Sequence, residues 1–457
     1  TRRSSDLTYR LQFNRNFTFN DAEKILPYLY KLGIKTIYAS PVLKALKGSN
    51  HGYDVTNPMI VNPETGTRNE FENLLKKVHQ YGMGWIQDIV PNHMSFSTEN
   101  PWIVDVLEKG KDSEYYEFFD IIENHSDPNL KNKLMLPFFG KPVTELIESG
   151  ELSVVYRKDG FKLKYFDDEY PLSVPAYPVV LKAAGRFPVP EPAAGLMNSE
   201  ISIDRFDETR RELSYEHSGS DDFRHYITEC LTKTNSSPDI LKAVVDKLHY
   251  YPSFWRDTET RINYRRFFTI NSLICLNIQN EKVFNFCHLL IEEWLKNKMV
   301  DGVRVDHIDG LFNPAEYLER LRKMAGNETA IYVEKILEED ELLPGHWPVQ
   351  GSTGYDFLSL VNNLLTNKDN GPVFSYFYND WIHKPADFND VFYKNNRFIL
   401  YRRLAGELEN LTRQCLTIDS VNACGKNEQE IKAAIGEFLV ACPVYKVYLE
   451  PSKFTRS

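Results

Sequence analysis

Two short segments constrain this chain more than any other feature: DGVRVDHIDG over residues 301–310 and AIYVEKIL over residues 330–337. Each reads as a buried strand that runs out into charged residues. In the first, Arg304 and Asp306 lie two apart, so both face the same side of a strand. In the second, a β-branched and aromatic run ends in Glu334 and Lys335. An apolar strand that stops in a carboxylate, twice, with a helix-length spacer between, is how a parallel βα barrel presents a catalytic pair. Two carboxylates facing one pocket are the minimum equipment for cleaving a glycosidic bond.

The same strand-then-helix order repeats upstream. Strands are expected at 6–13, 34–41 and 84–94. Between them lie a helix whose Ile25, Leu26, Leu29 and Leu32 recur at helical spacing until Gly33, and a second over residues 68–82. Three such units argue for a parallel sheet with right-handed crossovers. From about 95 to 270 the rhythm breaks into the Pro-rich stretches YPLSVPAYPVV (170–180) and RFPVPEPAAG (186–195) and the strand-like SVVYRKDGFKLKYF (153–166). A departure that long is an inserted subdomain rather than a loop. The repeat resumes with a helix at 281–299, a fourth strand at 301–308, a helix at 314–325, a fifth strand at 330–337 and a sixth near 352–361. Beyond about residue 365 the chain reads as helical and charged until the strand-like FLVACPVYKVYL (438–449). The expected division is therefore 1–94 and 271–365 as two parts of a catalytic barrel, 95–270 as the insert, and 366–457 as a helical insert with a late barrel strand.

Composition narrows the class. Of 457 residues, 42% are apolar and 26% charged, the balance of a soluble globular protein. No apolar run is long enough to cross a bilayer, and TRRSSDLTYR at the start offers no signal-peptide core. A net charge of −10 argues against a nucleic-acid partner, whose phosphates need neutralising. The six cysteines are scattered without a C-x-x-C pair, which suggests buried, reduced thiols and a cytoplasmic location. No metal or cofactor is expected, because two carboxylates suffice for the chemistry.

Four segments then line up in order: GSNHGYDV (48–55), DIVPNHM (88–94), DGVRVDHIDG and YVEKIL. Together they resemble the α-amylase family, glycoside hydrolase family thirteen, whose strand ends carry D-x-V-x-N-H, G-x-R-x-D and an acid-bearing Glu. The flanking text TYRLQF, WIVDVLEKG, INYRRFF, HWPVQGSTGYDF and CPVYKVY narrows the resemblance to the maltooligosyltrehalose-forming branch, from residue 7 to about 449.

That resemblance implies a (β/α)8-type TIM barrel, C-terminally incomplete, with a large subdomain inserted between strands three and four. Asp306 would be the nucleophile, Glu334 the acid/base, and Arg304 the residue holding Asp306 ionised and oriented. Asp88, Asn92 and His93 would floor the subsite of the transferred sugar. Tyr53 would stack on that sugar or simply fill core space, Asp54 would anchor a loop or a hydroxyl, and His51 and His307 would be further sugar ligands. Asp309 reads as an ordinary helix-initiating or turn residue. A neighbouring guanidinium favours ionised Asp306, while a carboxyl in the drier setting after Ile331, Tyr332 and Val333 should keep its proton longer.

The implied reaction is intramolecular transglycosylation, in which the reducing-end α-1,4 linkage of a maltooligosaccharide becomes an α,α-1,1 linkage. The partners would be an α-1,4-glucan and, functionally, a maltooligosyltrehalose trehalohydrolase. Excluding water and keeping the freed glucose captive would favour transfer over hydrolysis. The insert is the expected lid, with INYRRFF and HYYPSFWR (249–256) as its walls. The family's third carboxylate, after the seventh strand, aligns beyond Ser457. An α-amylase-like hydrolase and a catalytically silent glucan-binding fragment therefore stand as alternatives.

Overall fold

Local signals in the sequence set the first two βα units. The structure is a computed structural model that describes residues 7–186, 188–197, 201–338, 341–422 and 424–448. Strand β1 is Thr8–Leu11 and helix α1 is Phe19–Lys31. At its start the Thr18 hydroxyl accepts from the Asp21 N–H while the Asp21 carboxylate accepts from the Thr18 N–H. Two orphan donors are thereby satisfied. Strand β2 is Thr36–Ala39, helix α2 is Arg68–Gln80 with the same reciprocal cap at Thr67 and Glu70, and strand β3 is Gly84–Ile89. After the residues of the second unit come α3 (Glu281–Lys296), β4 (Gly302–Val305), α4 (Pro314–Ala325), β5 (Ala330–Val333) and β6 (Gly351–Ser352).

These six strands form one parallel sheet in strict chain order. Consecutive order is that of a βα-barrel wall, whereas a doubly wound sheet reverses at a switch point. The strands alternate between layers. On the helix side, Phe71 of α2 lies 5.7 Å from Trp85 of β3 and 4.8 Å from Trp294 of α3, ring centroid to centroid. All three are fully buried. Burying a side chain such as Phe71 contributes roughly 1.5–3 kcal/mol. Asp88, three residues past Trp85, leaves the sheet on the opposite face.

The chain divides into two compact units, Thr1–Met94 with Leu276–Ser457, and Ser95–Cys275. Within the second unit, SVVYRKDGFKLKYF is a hairpin of Leu152–Arg157 and Gly160–Tyr165, extended by Asp168–Pro171. Leu134–Phe139 pairs in parallel with Tyr250–Phe254. Helices Ile203–Gly219, Asp221–Ser236 and Pro238–Asp246 belong to the same unit. The expected wall segments are partly this unit's own core. Tyr250, Ile262, Asn263 and Tyr264 are buried, while Trp255 and Phe268 are exposed.

Three expectations need correction. The strand near 352–361 is only Gly351–Ser352. Gly354 then takes φ +81° and the apolar run continues as a helix, Tyr355–Leu364. Its Phe357, Leu358, Leu360 and Val361 suit either conformation, and the helix follows once the glycine turns the chain. The late strand at 438–449 is likewise absent among the described residues. Helix Glu428–Val440, opened by a reciprocal cap at Asn427 and Glu430, claims its first three residues. Leu449 lies outside the described residues. Finally, the cysteines are not all buried: Cys230, Cys275 and Cys287 are, Cys415 and Cys442 are half-buried, and Cys424 is exposed.

The region after residue 354 is helical, yet Tyr355–Leu364, Gly371–Trp381 and Phe388–Phe398 bury none of their residues. No helix among the described residues is long and apolar enough to cross a membrane.

Candidate active site

Strand register assembles the site. Arg304 of β4 lies directly opposite Asp88 of β3, so both side chains leave the sheet on one face. Arg304 Nη1 donates to Asp88 Oδ1 at 2.8 Å and to Asp306 Oδ1 at 2.6 Å, and its Nη2 lies 3.3 Å from Glu334 Oε1. Asp306 and Glu334 are the first residues past β4 and β5. Their N–H groups still donate to the neighbouring strands, to Ile89 O and Val305 O at 2.9 Å, which carries the register one step beyond the strand ends. Glu334 Oε2 also accepts from the His307 N–H at 2.8 Å. His307 makes that bond from a left-handed backbone, φ +43°. For a non-glycine residue this costs about 1–2 kcal/mol.

Asp88 is held from its other side as well. The hydroxyls of Tyr38 and Tyr53 both donate to Asp88 Oδ2 at 2.7 Å. Arg10 in turn donates to the Tyr53 hydroxyl at 3.3 Å, and its guanidinium sits 5.3 Å from the Tyr38 ring centroid. Tyr53 reaches inward because Gly52 turns the loop at φ +79°, where a Cβ would stand 2.7 Å from the Pro41 carbonyl oxygen.

Asn92 and His93 are buried side by side, with Asn92 Nδ2 3.2 Å from His93 Nδ1. The loop after Asp306 packs onto them: a Cβ on Gly310 would lie 2.5 Å from Asn92 Oδ1 and 2.5 Å from His307 Nδ1. The structure thus gathers Arg304, Asp306, Glu334, Asp88, Tyr53, Asn92, His93 and His307. His51 and Asp54 instead make contacts within their own loop. The Asp54 carboxylate accepts from the Ser49 hydroxyl at 2.6 Å, and His51 Nδ1 accepts from the Tyr53 N–H at 3.1 Å.

One guanidinium serves three carboxylates, and this inverts an expectation. Burial pushes the Asp306 carboxyl up to about 7; Arg304 opposes that shift, while the charges of Asp88 and Glu334 add to it. Asp88 is also raised, again first by burial. Arg304 alone therefore does not keep Asp306 an ordinary ionised aspartate, because a single positive charge cannot neutralise three carboxylates out of water. The drier carboxyl is also the other one: the Asp306 side chain is 10% exposed and that of Glu334 24%.

Sequence reading missed Tyr38, Arg10 and the partnership of Asp309 with Lys335. Lys335 is fully buried between Asp309 Oδ2 at 3.3 Å and Glu341 Oε1 at 2.6 Å. An arginine inside the apolar TYRLQF strand and a lysine directly after Glu334 were the available signals.

Comparison with known proteins agrees with this geometry. The catalytic-domain model of the α-amylase family matches residues 22–145. A Mycobacterium tuberculosis protein, named provisionally as a maltooligosyl trehalose synthase, is 33% identical over 443 residues, covering 94% of this chain and 47% of its own. The maltooligosyltrehalose synthase structure from Arthrobacter ramosus matches at TM-score 0.75 and 29% identity, over 97% of this chain and 48% of that one. This chain is a relative of the maltooligosyltrehalose synthases. A hypothetical maltooligosyl trehalose synthase from Sulfolobus tokodaii gives TM-score 0.71 and 30% identity, over 98% of this chain and 49% of its own. The chain spans about half the length of these synthases. The similarity to them nevertheless runs through nearly all of it.

Proposed function

We propose that this chain carries the nucleophile and acid/base of a retaining intramolecular transglycosylase acting on the reducing end of α-1,4-glucans. The observation that carries the reading is Arg304 bound at once to Asp306 and Glu334 at the ends of adjacent strands. Sharing one guanidinium holds the two carboxyl groups close, as a retaining mechanism requires. Retaining pairs stand about 5–5.5 Å apart, whereas inverting pairs leave room for a water.

Glu334 gives its proton to the glycosidic oxygen as an Asp306 oxygen attacks the anomeric carbon. The C1–O bond to the terminal glucose breaks and a glycosyl ester forms on Asp306. The freed glucose turns in its subsite, and its anomeric hydroxyl attacks the same carbon. Glu334 takes that proton back, the ester bond breaks, and Asp306 leaves as a carboxylate. The product is an isomer of the substrate, ending in an α,α-1,1 linkage. The chemistry needs Asp306 ionised and a proton on Glu334 when the sugar is bound. His307 N–H and Arg304 orient the Glu334 carboxyl, while Asn92, His93 and Tyr53 shape the subsite of the transferred sugar.

We further read the six-stranded sheet as part of an eight-stranded barrel, with Ser95–Cys275 inserted between its third and fourth strands. The six scattered cysteines suit a reducing cytoplasm, where a trehalohydrolase would consume the product. Incubation with maltopentaose, followed by chromatography and mass spectrometry, tests the proposal. A non-reducing pentasaccharide with little free glucose supports it. Glucose and shorter dextrins would instead indicate an α-glucan hydrolase, and calorimetric binding without any product a silent glucan-binding chain.

A further inference from the structure

We infer that Lys335 and Asp309 are positioning residues whose buried ion pair ties the chain just past Glu334 to the chain just past Asp306. The inference rests on the transglycosylase reading and adds to it a device that fixes the distance between the two reacting carboxyls.

Lys335 follows Glu334 directly, and Asp309 lies three residues after Asp306. Their side chains meet at 3.3 Å, with that of Lys335 fully buried and that of Asp309 7% exposed. Between these two anchor points the His307 N–H donates to Glu334 Oε2, a bond from the loop after one strand to the side chain at the end of the next. His307 makes it from a left-handed conformation that a non-glycine residue does not hold unaided. Something must over-determine that loop, and the contacts converge on Asp309. Its second carboxylate oxygen accepts from the Tyr448 hydroxyl, and Lys446 Nζ donates to its carbonyl at 2.9 Å and to that of Leu311. Tyr448 also presents its ring to the Lys335 ammonium, 5.6 Å from the centroid, and packs edge-on to Trp347 at 5.0 Å. The loop carrying Asp306 and His307 is thus clamped from both sides.

Stability alone does not account for this arrangement. A buried ion pair repays its desolvation poorly, and apolar residues of similar volume often serve a fold as well or better. What an ionic tie supplies is a fixed geometry between two strand ends, and an acid/base a fraction of an ångström out of place loses rate without losing substrate. Neither Lys335 nor Asp309 needs to touch sugar for this.

Glu341 Oε1 stands 2.6 Å from the same Lys335 ammonium. The triple variant Lys335→Met/Asp309→Asn/Glu341→Gln therefore removes the ammonium with both of its carboxylate partners while keeping side-chain volume and the Tyr448 hydroxyl contact. Steady-state kinetics with maltopentaose and hydrogen exchange of residues 304–311 are then compared with the unmodified chain. The expected result is a loss of at least tenfold in kcat with KM unchanged, together with faster exchange confined to 304–311. Unchanged kcat, or a fall in kcat with unchanged exchange, overturns the inference, as does faster exchange throughout the sheet, which marks a merely structural pair. If the unmodified chain shows no turnover, the transglycosylase reading fails. The exchange data then decide the tie alone: faster exchange limited to 304–311 upholds it and unchanged exchange refutes it.

Discussion

Arg304 and Asp88 face each other as register partners on adjacent parallel strands, joined by a hydrogen bond of 2.8 Å between Nη1 and Oδ1. Asp88 also accepts from two tyrosine hydroxyls, so a single buried carboxylate satisfies three donors. Replacing Asp88 by Ala would strand two tyrosine hydroxyls away from water, while Arg304 keeps Asp306 and Glu334 as partners. The expected loss of stability is about 1–3 kcal/mol, read as a lowered urea midpoint. Asp88→Asn keeps the shape and should lose less. A midpoint for Asp88→Ala equal to that of the unmodified chain would contradict the role assigned to Asp88.

Asp306 makes the folded chain sensitive to pH in a defined direction. Its carboxyl is raised from an ordinary 3.8 to about 7, so between those values the folded state binds more protons at this site than the unfolded state. Its contribution is therefore most favourable below about pH 4, falls as pH rises toward 7, and is level above. Asp306→Asn removes this slope and should be the more stable protein at pH 8, by on the order of a few kcal/mol. Urea unfolding of both proteins at pH 4 and pH 8 checks it. A variant equally destabilised at both values would show that Asp306 is ionised at no cost.

Gly310 is constrained by space rather than by backbone angle. With Asn92 and His307 each 2.5 Å from its virtual Cβ, Gly310→Ala must push the loop off Asn92. The expected cost is about 1–3 kcal/mol, together with a loss of turnover that exceeds the loss of stability, because the same loop positions the His307 N–H. Thermal unfolding and maltopentaose kinetics of one preparation measure both.

The helices Gly371–Trp381 and Phe388–Phe398 carry Phe374, Phe377, Trp381, Phe388 and Phe392 on their exposed surfaces. So much uncovered apolar surface promotes association. The 457-residue chain alone should bind the dye ANS strongly at neutral pH and elute from a sizing column above its monomer mass. Substituting Phe374, Phe377 and Trp381 by Ser should lower both signals. A monomer with no dye enhancement would argue that these helices are covered in solution.

The strand ends at Asp306 and Glu334 were legible from spacing, and the roles proposed for them came from the family resemblance. Arg304 and Asp306 share a face by the two-residue period of a strand, and Glu334 follows an apolar run of four residues. The aromatic and carboxylate partners were not legible, since Tyr38 and Asp88 meet only through pairing of β2 and β3, fifty residues apart. Asp309 looked like a turn former for the same reason: Lys335, and Tyr448 lying 139 residues away, identify it only once the chain is folded. The missed strands have a different cause. Near Phe357 and Phe438 the apolar runs carry no periodicity that separates helix from strand, and the turn at Gly354 and the cap at Asn427 tip each toward helix. The raised Asp306 carboxyl was hidden too, because counting one neighbouring arginine does not reveal how many carboxylates share it.

The most direct test of the account is to trap the glycosyl ester. Glu334→Gln, incubated with α-maltotriosyl fluoride, receives a substrate whose leaving group needs no proton, yet lacks the base that would release the intermediate. Intact-protein mass spectrometry with peptide mapping should find one trisaccharide bound through an ester to Asp306, and none on Asp306→Asn/Glu334→Gln. An adduct on Asp88 or another carboxylate, or none under conditions where the fluoride binds, would contradict the assignment of Asp306 and Glu334 as the reacting pair.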